Sequence, residues 1–370
     1  MSYRKIIAFF ALLAAGVAAI AEEPRDHSVP FVSESFETGE LARLRKLYNF
    51  DEMISKGSSE LEQMLLLKNW VFRNIPYRQN YEYSQLHNSL QILQLATANI
   101  GVLCTQLSAV YTQLAVAMGW TSRYVYNRNP AGDEHSTNEI WSNQLAKWIY
   151  IDTTWNLHVE KSGVPLSALE VRREWLANKG RNLVYVFGAG AGEARYTTAQ
   201  FPVKRSDNRA WQLWPLDDTW VSYTWQIAWI GRNDFFTNNH RFWDTIWIYT
   251  DEANENDDSW GLRQQPALDA ASLYHDVNRV DIHLSSRDAR LVTVRLDASG
   301  PGNITPNFDR FLVRVNGSEW RAVDGDTVTV GATGPNTTVQ ARVRNKFGVL
   351  GPVATRVLRS YAQPLAPARP

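Results

Sequence analysis

The 370 residues contain one cysteine, Cys104, which heads a helical stretch, "GVLCTQLSAVYTQLAVAMGWTSRYV" (Gly101 to Val125). At the first turn of a helix, unpaired backbone N–H groups and the positive end of the dipole favour a thiolate. A free thiol is only a few per cent ionised at neutral pH, so nucleophilic chemistry also requires a base. Histidine can act as that base when a third group orients its ring and stabilises the imidazolium. Of the seven histidines, His27, His87, His135, His158, His240, His275 and His283, only His135 stands just ahead of a strand hairpin that could also bring in a carboxylate, Asp152. Cys104, His135 and Asp152 are therefore the candidate catalytic residues, for attack of sulfur on an acyl carbon. Without the other two, Cys104 would read as an ordinary buried core thiol.

Such a triad must be positioned by its elements. A helix is expected over Leu61 to Ile75, capped by Ser58 or Ser59, with Leu61, Leu65, Trp70, Val71 and Phe72 apolar and Pro76 ending it. A second helix is expected around Asn88 to Asn99. The third starts near Cys104, carries one apolar stripe (Leu107, Val110, Tyr111, Leu114, Met118) and ends at Gly119. The period then switches to two in "RYVYN" (123–127), "NEIWS" (138–142) and "KWIYIDTT" (147–154), which read as strands. If the hairpin loop is Ser142 to Leu145, Trp141 pairs with Ala146 and His135 lies directly across from Asp152 on one face. A one-residue slip would put the two on opposite faces. Helices followed by local hairpins indicate an α+β domain with an antiparallel sheet.

These blocks resemble the transglutaminase-like superfamily, whose papain-like core carries Cys, His and Asp in that order. Gly119 to Val125 matches the family's G-I-P-A-R-x-V pattern, His135 to Ile140 its H-A-W-N-E-V block, and Asp152-Thr153-Thr154 its D-P-T block. The likeness spans about Leu61 to Asn178. Three departures stand out: one extra residue between Gly101 and Cys104, Thr137 in place of an aromatic, and Thr153 in place of proline. The resemblance implies a thioester-forming enzyme that cleaves or transfers an amide, with protease or amidase action favoured because water is always present. The strand blocks also resemble peptide N-glycanases, which cleave the sugar–asparagine amide. The segment Asn74 to Gln85 should complete an oxyanion hole beside the N–H of Cys104, and Gln79, Trp70 and Tyr77 are all candidates for it.

Beyond the core, the N-terminus shows basic residues, an apolar run from Ile6 to about Ala15 and Ala19-Ile20-Ala21, the pattern of a cleaved leader. That run is shorter than the roughly 20 residues of a membrane span. A secreted, periplasmic or extracellular protein is expected, with a signal peptide over 1–21. The 38 basic and 38 acidic residues cancel, which removes the usual drive toward nucleic acid or anionic membranes. Spacing for metal ligands is lacking, and no cofactor is expected. Eight tryptophans lie between Trp211 and Trp260; they are read first as core and interface, and second as a carbohydrate-contacting surface. From about Val277, short alternating strands such as "LVTVRLD", "RFLVRVNG" and "TVQARVRN" indicate an immunoglobulin- or fibronectin type III-like β-sandwich. The expected division is an N-terminal segment over 22–60, a catalytic core over 61–200, a Trp-rich connection over 201–265 and the sandwich over 266–370. Partners are expected to be a protein, peptide or glycopeptide substrate. The reading from a different class is a non-catalytic module that binds peptide or polysaccharide.

Overall fold

The computed structural model describes residues 30–128, 134–203, 212–214, 226–238, 246–249, 264–267, 270–287, 291–331 and 336–359. The leader over 1–21 and most of the Trp-rich segment, with its polar loop at 254–258, lie outside the described residues.

Five helices precede the sheet: α1 (Gly39–Leu47), α2 (Phe50–Ile54), α3 (Glu60–Asn74), α4 (Ser89–Thr97) and α5 (Cys104–Ala117). Ser59 caps α3 by accepting from the Glu62 N–H, while the Glu62 carboxylate reaches back to Ser58. Asn88 caps α4 in the same manner. The inward face of α3 carries Met64, Leu65, Leu67, Lys68 and Val71; Phe72, expected inside, is exposed, and Trp70 stands edge-on to Tyr48 and Phe50. The single stripe expected on α5 is too narrow a description. Every residue from Gln106 to Ala117 is buried, because α5 is the central helix, enclosed by α1, α3, α4 and the sheet.

The chain continues through β1 (Ser122–Arg128), β2 (Glu134–Ser142), β3 (Lys147–Asp152), β4 (Leu157–Lys161), β5 (Val164–Pro165), α6 (Ala168–Asn178), β6 (Leu183–Phe187), β7 (Ala194–Thr197), β8 (Phe201–Val203), β9 (Gln212–Trp214), β10 (Gln226–Ile230), β11 (Ile246–Tyr249) and β12 (Gln264–Ala267). One sheet runs in the order β12-β11-β10-β1-β2-β3-β4-β6-β7. Its neighbours are antiparallel apart from β11 with β12. Burial alternates along the strands: Tyr124, Ile140, Ile149, Ile151, Ala228 and Ile230 join the core with α1–α5, whereas Val125, Tyr150, Leu157, Ile227 and Trp229 join a second core with α6. The protein is thus an α+β fold whose central sheet is covered on both faces. Strands on both sides of residue 200 share this sheet, and Trp229 is core, as the first reading of that segment expects.

The β2–β3 register differs from the expected one. Trp141 pairs with Trp148 rather than Ala146, and Asn138 with Ile151. The turn is 143–146, with Ala146 in the left-handed region at φ 49°, and Glu60 holds it by accepting from Ser142 Oγ (2.8 Å), Asn143 Nδ2 (2.9 Å) and Gln144 N (2.7 Å). The shift is two residues, so face parity survives. His135 and Asp152 remain on one face, diagonal to each other rather than directly opposite.

After α7 (Ala270–Leu273) come β13 (Asp276–Val277), β14 (Asp281–Arg287), β15 (Leu291–Asp297), β16 (Asn303–Ile304), β17 (Phe308–Val315), β18 (Arg321–Val323), β19 (Thr327–Gly331), β20 (Asn336–Asn345) and β21 (Ala354–Arg359). Sheets β14-β15-β19 and β18-β17-β20-β21 enclose one apolar core, consistent with a β-sandwich. The turn after β20 closes on the end of α5. Asn345 Nδ2 donates to Gly119 O at 2.8 Å, and at Gly119 (φ 90°) an added Cβ would meet Phe347 Cβ at 2.5 Å.

Glu139 on β2, wholly buried, accepts from Arg123 Nε and Nη2, Trp229 Nε1, Ala168 N and Tyr274 Oη at 2.6–2.9 Å. Substituting Glu139→Leu leaves the Arg123 guanidinium buried without its counter-ion. A loss of about 3–5 kcal/mol is expected in a denaturant melt, and a variant as stable as the parent would contradict this account of the hub.

Candidate active site

Cys104 is half-buried at the first helical position of α5. Its N-cap residue, Leu103, has no side-chain acceptor, so the cap offers no competing oxygen to the first-turn N–H groups; the Leu103 N–H itself is taken by Gln106 Oε1 at 3.2 Å. Just upstream, Arg78 N donates to Val102 O (2.9 Å) and Val102 N to Pro76 O (3.0 Å). This pairing needs a glycine at 101, where a Cβ would collide with the Arg78 side chain, meeting Cδ at 2.6 Å. It brings residues 76–78 beside the turn that carries Cys104. Of the three side chains considered for the oxyanion position, Trp70 belongs to the helical core, and Tyr77 and Gln79 lie on this adjoining segment.

His135 and Asp152 meet. His135 Nε2 lies 2.8 Å from Asp152 Oδ2, and the carboxylate's other oxygen accepts from the N–H groups of Thr154 (2.9 Å) and Trp155 (3.0 Å). Both carboxylate oxygens are thereby fixed, Asp152 is fully buried and His135 is 8 % exposed. With Nε2 engaged, Nδ1 is the nitrogen left for sulfur. The imidazole and the thiol act on each other by hydrogen bonding and by charge.

Burial is the largest influence on Cys104 and opposes the thiolate. The His135 hydrogen bond and charge, with hydrogen bonds from the Ser136 hydroxyl and backbone, outweigh it and hold the thiol below its ordinary 9.0. For His135, burial again disfavours charge, yet Asp152 and then Cys104 push the imidazole up to about 10. A second buried histidine shows the contrast. His158 sits 3.0 Å from Glu160, but burial takes it down to about 4, so it stays neutral. Of these two, His135 is the one held charged.

Sequence reasoning missed Lys68. It is fully buried on α3, its Nζ has no hydrogen-bond partner, and burial lowers it to about 7 despite the attraction of Glu193 and Asp152. Its signal was a lone lysine inside the apolar run "MLLLKNWVF". An open groove of about 420 Å³ begins at Thr154 and Trp155, beside the Asp152 carboxylate, and is walled by Phe72, Arg73, Phe187 and Tyr196.

Residues 49–153 match the transglutaminase-like superfamily. The matched span ends one residue past Asp152 and contains Cys104 and His135, which supports a thiol enzyme of that superfamily. A candidate cysteine protease from Cytophaga hutchinsonii, known from a crystal structure, is similar over 47 % of this chain at 16 % identity and a TM-score of 0.27. The likeness covers 57 % of that protein's length. No curated protein matches the chain.

Lys68 makes stability depend on pH in a definite sense. Its folded value, about 7, lies below the 10.5 of a free lysine, so between these the unfolded chain binds more protons and stability rises with pH. The cost is complete below about 7. At ~1.4 kcal/mol per unit, Lys68→Met is expected to be more stable than the parent by several kcal/mol at pH 6, with the gap closing toward pH 10. Parallel denaturant titrations across that range would refute it by showing a constant difference.

Proposed function

We propose that this chain is an exported thiol enzyme that cleaves an amide through Cys104, His135 and Asp152. The observation that carries the reading is the joining of His135 to Asp152 at 2.8 Å while the same imidazole engages the Cys104 thiol. In the resting site, sulfur is a thiolate and His135 an imidazolium whose charge Asp152 stabilises. The thiolate attacks the amide carbon, and first-turn N–H groups of α5 receive the oxyanion. Expulsion of the amine breaks the C–N bond as His135 gives up its proton, leaving a thioester on Cys104. Water then attacks, His135 takes its proton, and the acid leaves as the thiolate is regenerated. Hydrolysis is preferred to transfer because a transferase must exclude water and admit an amine.

The substrates in this reading are proteins, peptides or glycopeptides. The aromatic groove beside Asp152 is the observation that favours the alternative of a peptide N-glycanase-like amidase, since ring faces suit the C–H faces of sugars. We also propose that the C-terminal sheets are an immunoglobulin- or fibronectin III-like module behind a catalytic unit, and that residues 1–21 are cleaved on export. N-terminal sequencing of the extracellular or periplasmic protein tests the last point. A start within the leader would reject it.

Cys104→Ala is expected to abolish amide cleavage with the melting temperature retained, because removing one sulfur at a helix start costs little packing. Full activity in that variant would end the reading of Cys104 as nucleophile, whereas a thiol that iodoacetamide labels only at about pH 8.5, or only after unfolding, would favour a non-catalytic binding module. Mass spectrometry of products separates the two amidase readings: peptide-bond scission supports the first, and asparagine converted to aspartate with a released glycan supports the second. Because thiolate and imidazolium are both required, turnover is expected to rise at a pH below the unperturbed thiol value and fall near 10. A rise only at the unperturbed thiol value of about 8.5 or above would count against the ion pair.

A further inference from the structure

Three hydroxyls join the strand of the base to the helix of the nucleophile. Thr105 follows Cys104 on α5, and Ser136 follows His135 on β2. Their oxygens are 3.2 Å apart. Tyr124, diagonal to Ser136 on the neighbouring strand β1, brings its phenol to Ser136 Oγ and lies 3.4 Å from Thr105 Oγ1. Ser136 and Tyr124 are inaccessible to solvent, at 1 % and 0 % exposed. Such hydroxyls are costly to bury unless they are bonded, and here they are bonded to one another where Thr105 follows Cys104 on α5 and Ser136 follows His135 on β2.

We propose that Thr105, Ser136 and Tyr124 form a positioning clasp that sets the separation of the Cys104 sulfur from the His135 ring and directs the Ser136 proton to the sulfur. The proposal rests on the thiol-enzyme reading above. His135 and Ser136 are consecutive on β2, so their side chains leave the strand on opposite faces. Both hydrogen-bond to the sulfur at the tip of α5. Proton bookkeeping gives the direction. Burial holds Tyr124 as a neutral phenol, well above its ordinary range, so Tyr124 donates. Ser136, accepting from it, keeps its single proton for another acceptor, and a thiolate accepts where a thiol scarcely does. Losing either hydroxyl should loosen the nucleophile and weaken the thiolate together.

Because Cys104 is the sole cysteine, alkylation of the whole folded protein by iodoacetamide reads this one sulfur. Ser136→Ala and Tyr124→Phe are expected to raise the midpoint of the pH profile by about one unit and so to lower the rate about tenfold at a pH below the parent's midpoint, with rates converging with the parent near pH 10. Ser136→Thr, which keeps the hydroxyl, restores the parent profile. Thr105→Val, which leaves Tyr124 and Ser136 intact, gives the smaller shift and serves if Ser136→Ala does not fold. Variant profiles that overlay a parent with a depressed midpoint overturn the clasp alone. A parent midpoint at about 8.5 would overturn the thiol-enzyme reading and the clasp with it.

Discussion

The buried carboxylate of Glu139 joins more of this molecule than any other single group described. From one position on β2 it binds β1 through Arg123, β10 through Trp229, the first turn of α6 through the Ala168 N–H and the C-terminal segment through Tyr274. Arg123 is in turn stacked between Trp148, at 4.2 Å from the ring centroid, and Tyr274, at 4.7 Å. An ion pair this deep recovers its desolvation cost only when its hydrogen bonds are complete, and here both oxygens are shared among several donors. The consequence for chemistry is indirect and large: β2 cannot slide or twist, and His135 stands four residues along it.

With β2 fixed, the site works through opposed forces. Burial alone would neutralise both sulfur and imidazole. A close pair of opposite charges, extended by Asp152, reverses that preference for each. His158, also buried beside a carboxylate, shows how narrow the margin is, because there burial wins. Lys68 is the complementary case, a cation denied any hydrogen bond and drawn down in consequence.

The elements around the site were largely legible in the residues. Ser59 as a cap, Pro76 as a stop, Gly119 as a helix end and the switch from helical to strand period after it all act locally, and the structure carries each of them. What could not be read arose from long-range packing. The β2–β3 turn moved by one residue because Glu60, far back in the chain, supplies the acceptors that hold it. Phe72 sits outside because α3 rotates to bury Lys68 and Leu67 instead. The turn after β20 reads as an ordinary strand connection, yet Asn345 and Phe347 use it to close on α5.

Sequence by itself determined the α+β order, the identity of Cys104, His135 and Asp152 as the residues worth watching, and the strand parity that lets the last two share a face. Parity is a property of local backbone geometry, since side chains alternate whatever the partner strand does. Tertiary structure decided which histidine keeps its charge, that Asp152 meets His135 on the diagonal, and that hydroxyls from three separate elements gather beside the sulfur. Those outcomes depend on burial and on distances across the sheet, and both come into being only when remote segments are brought together.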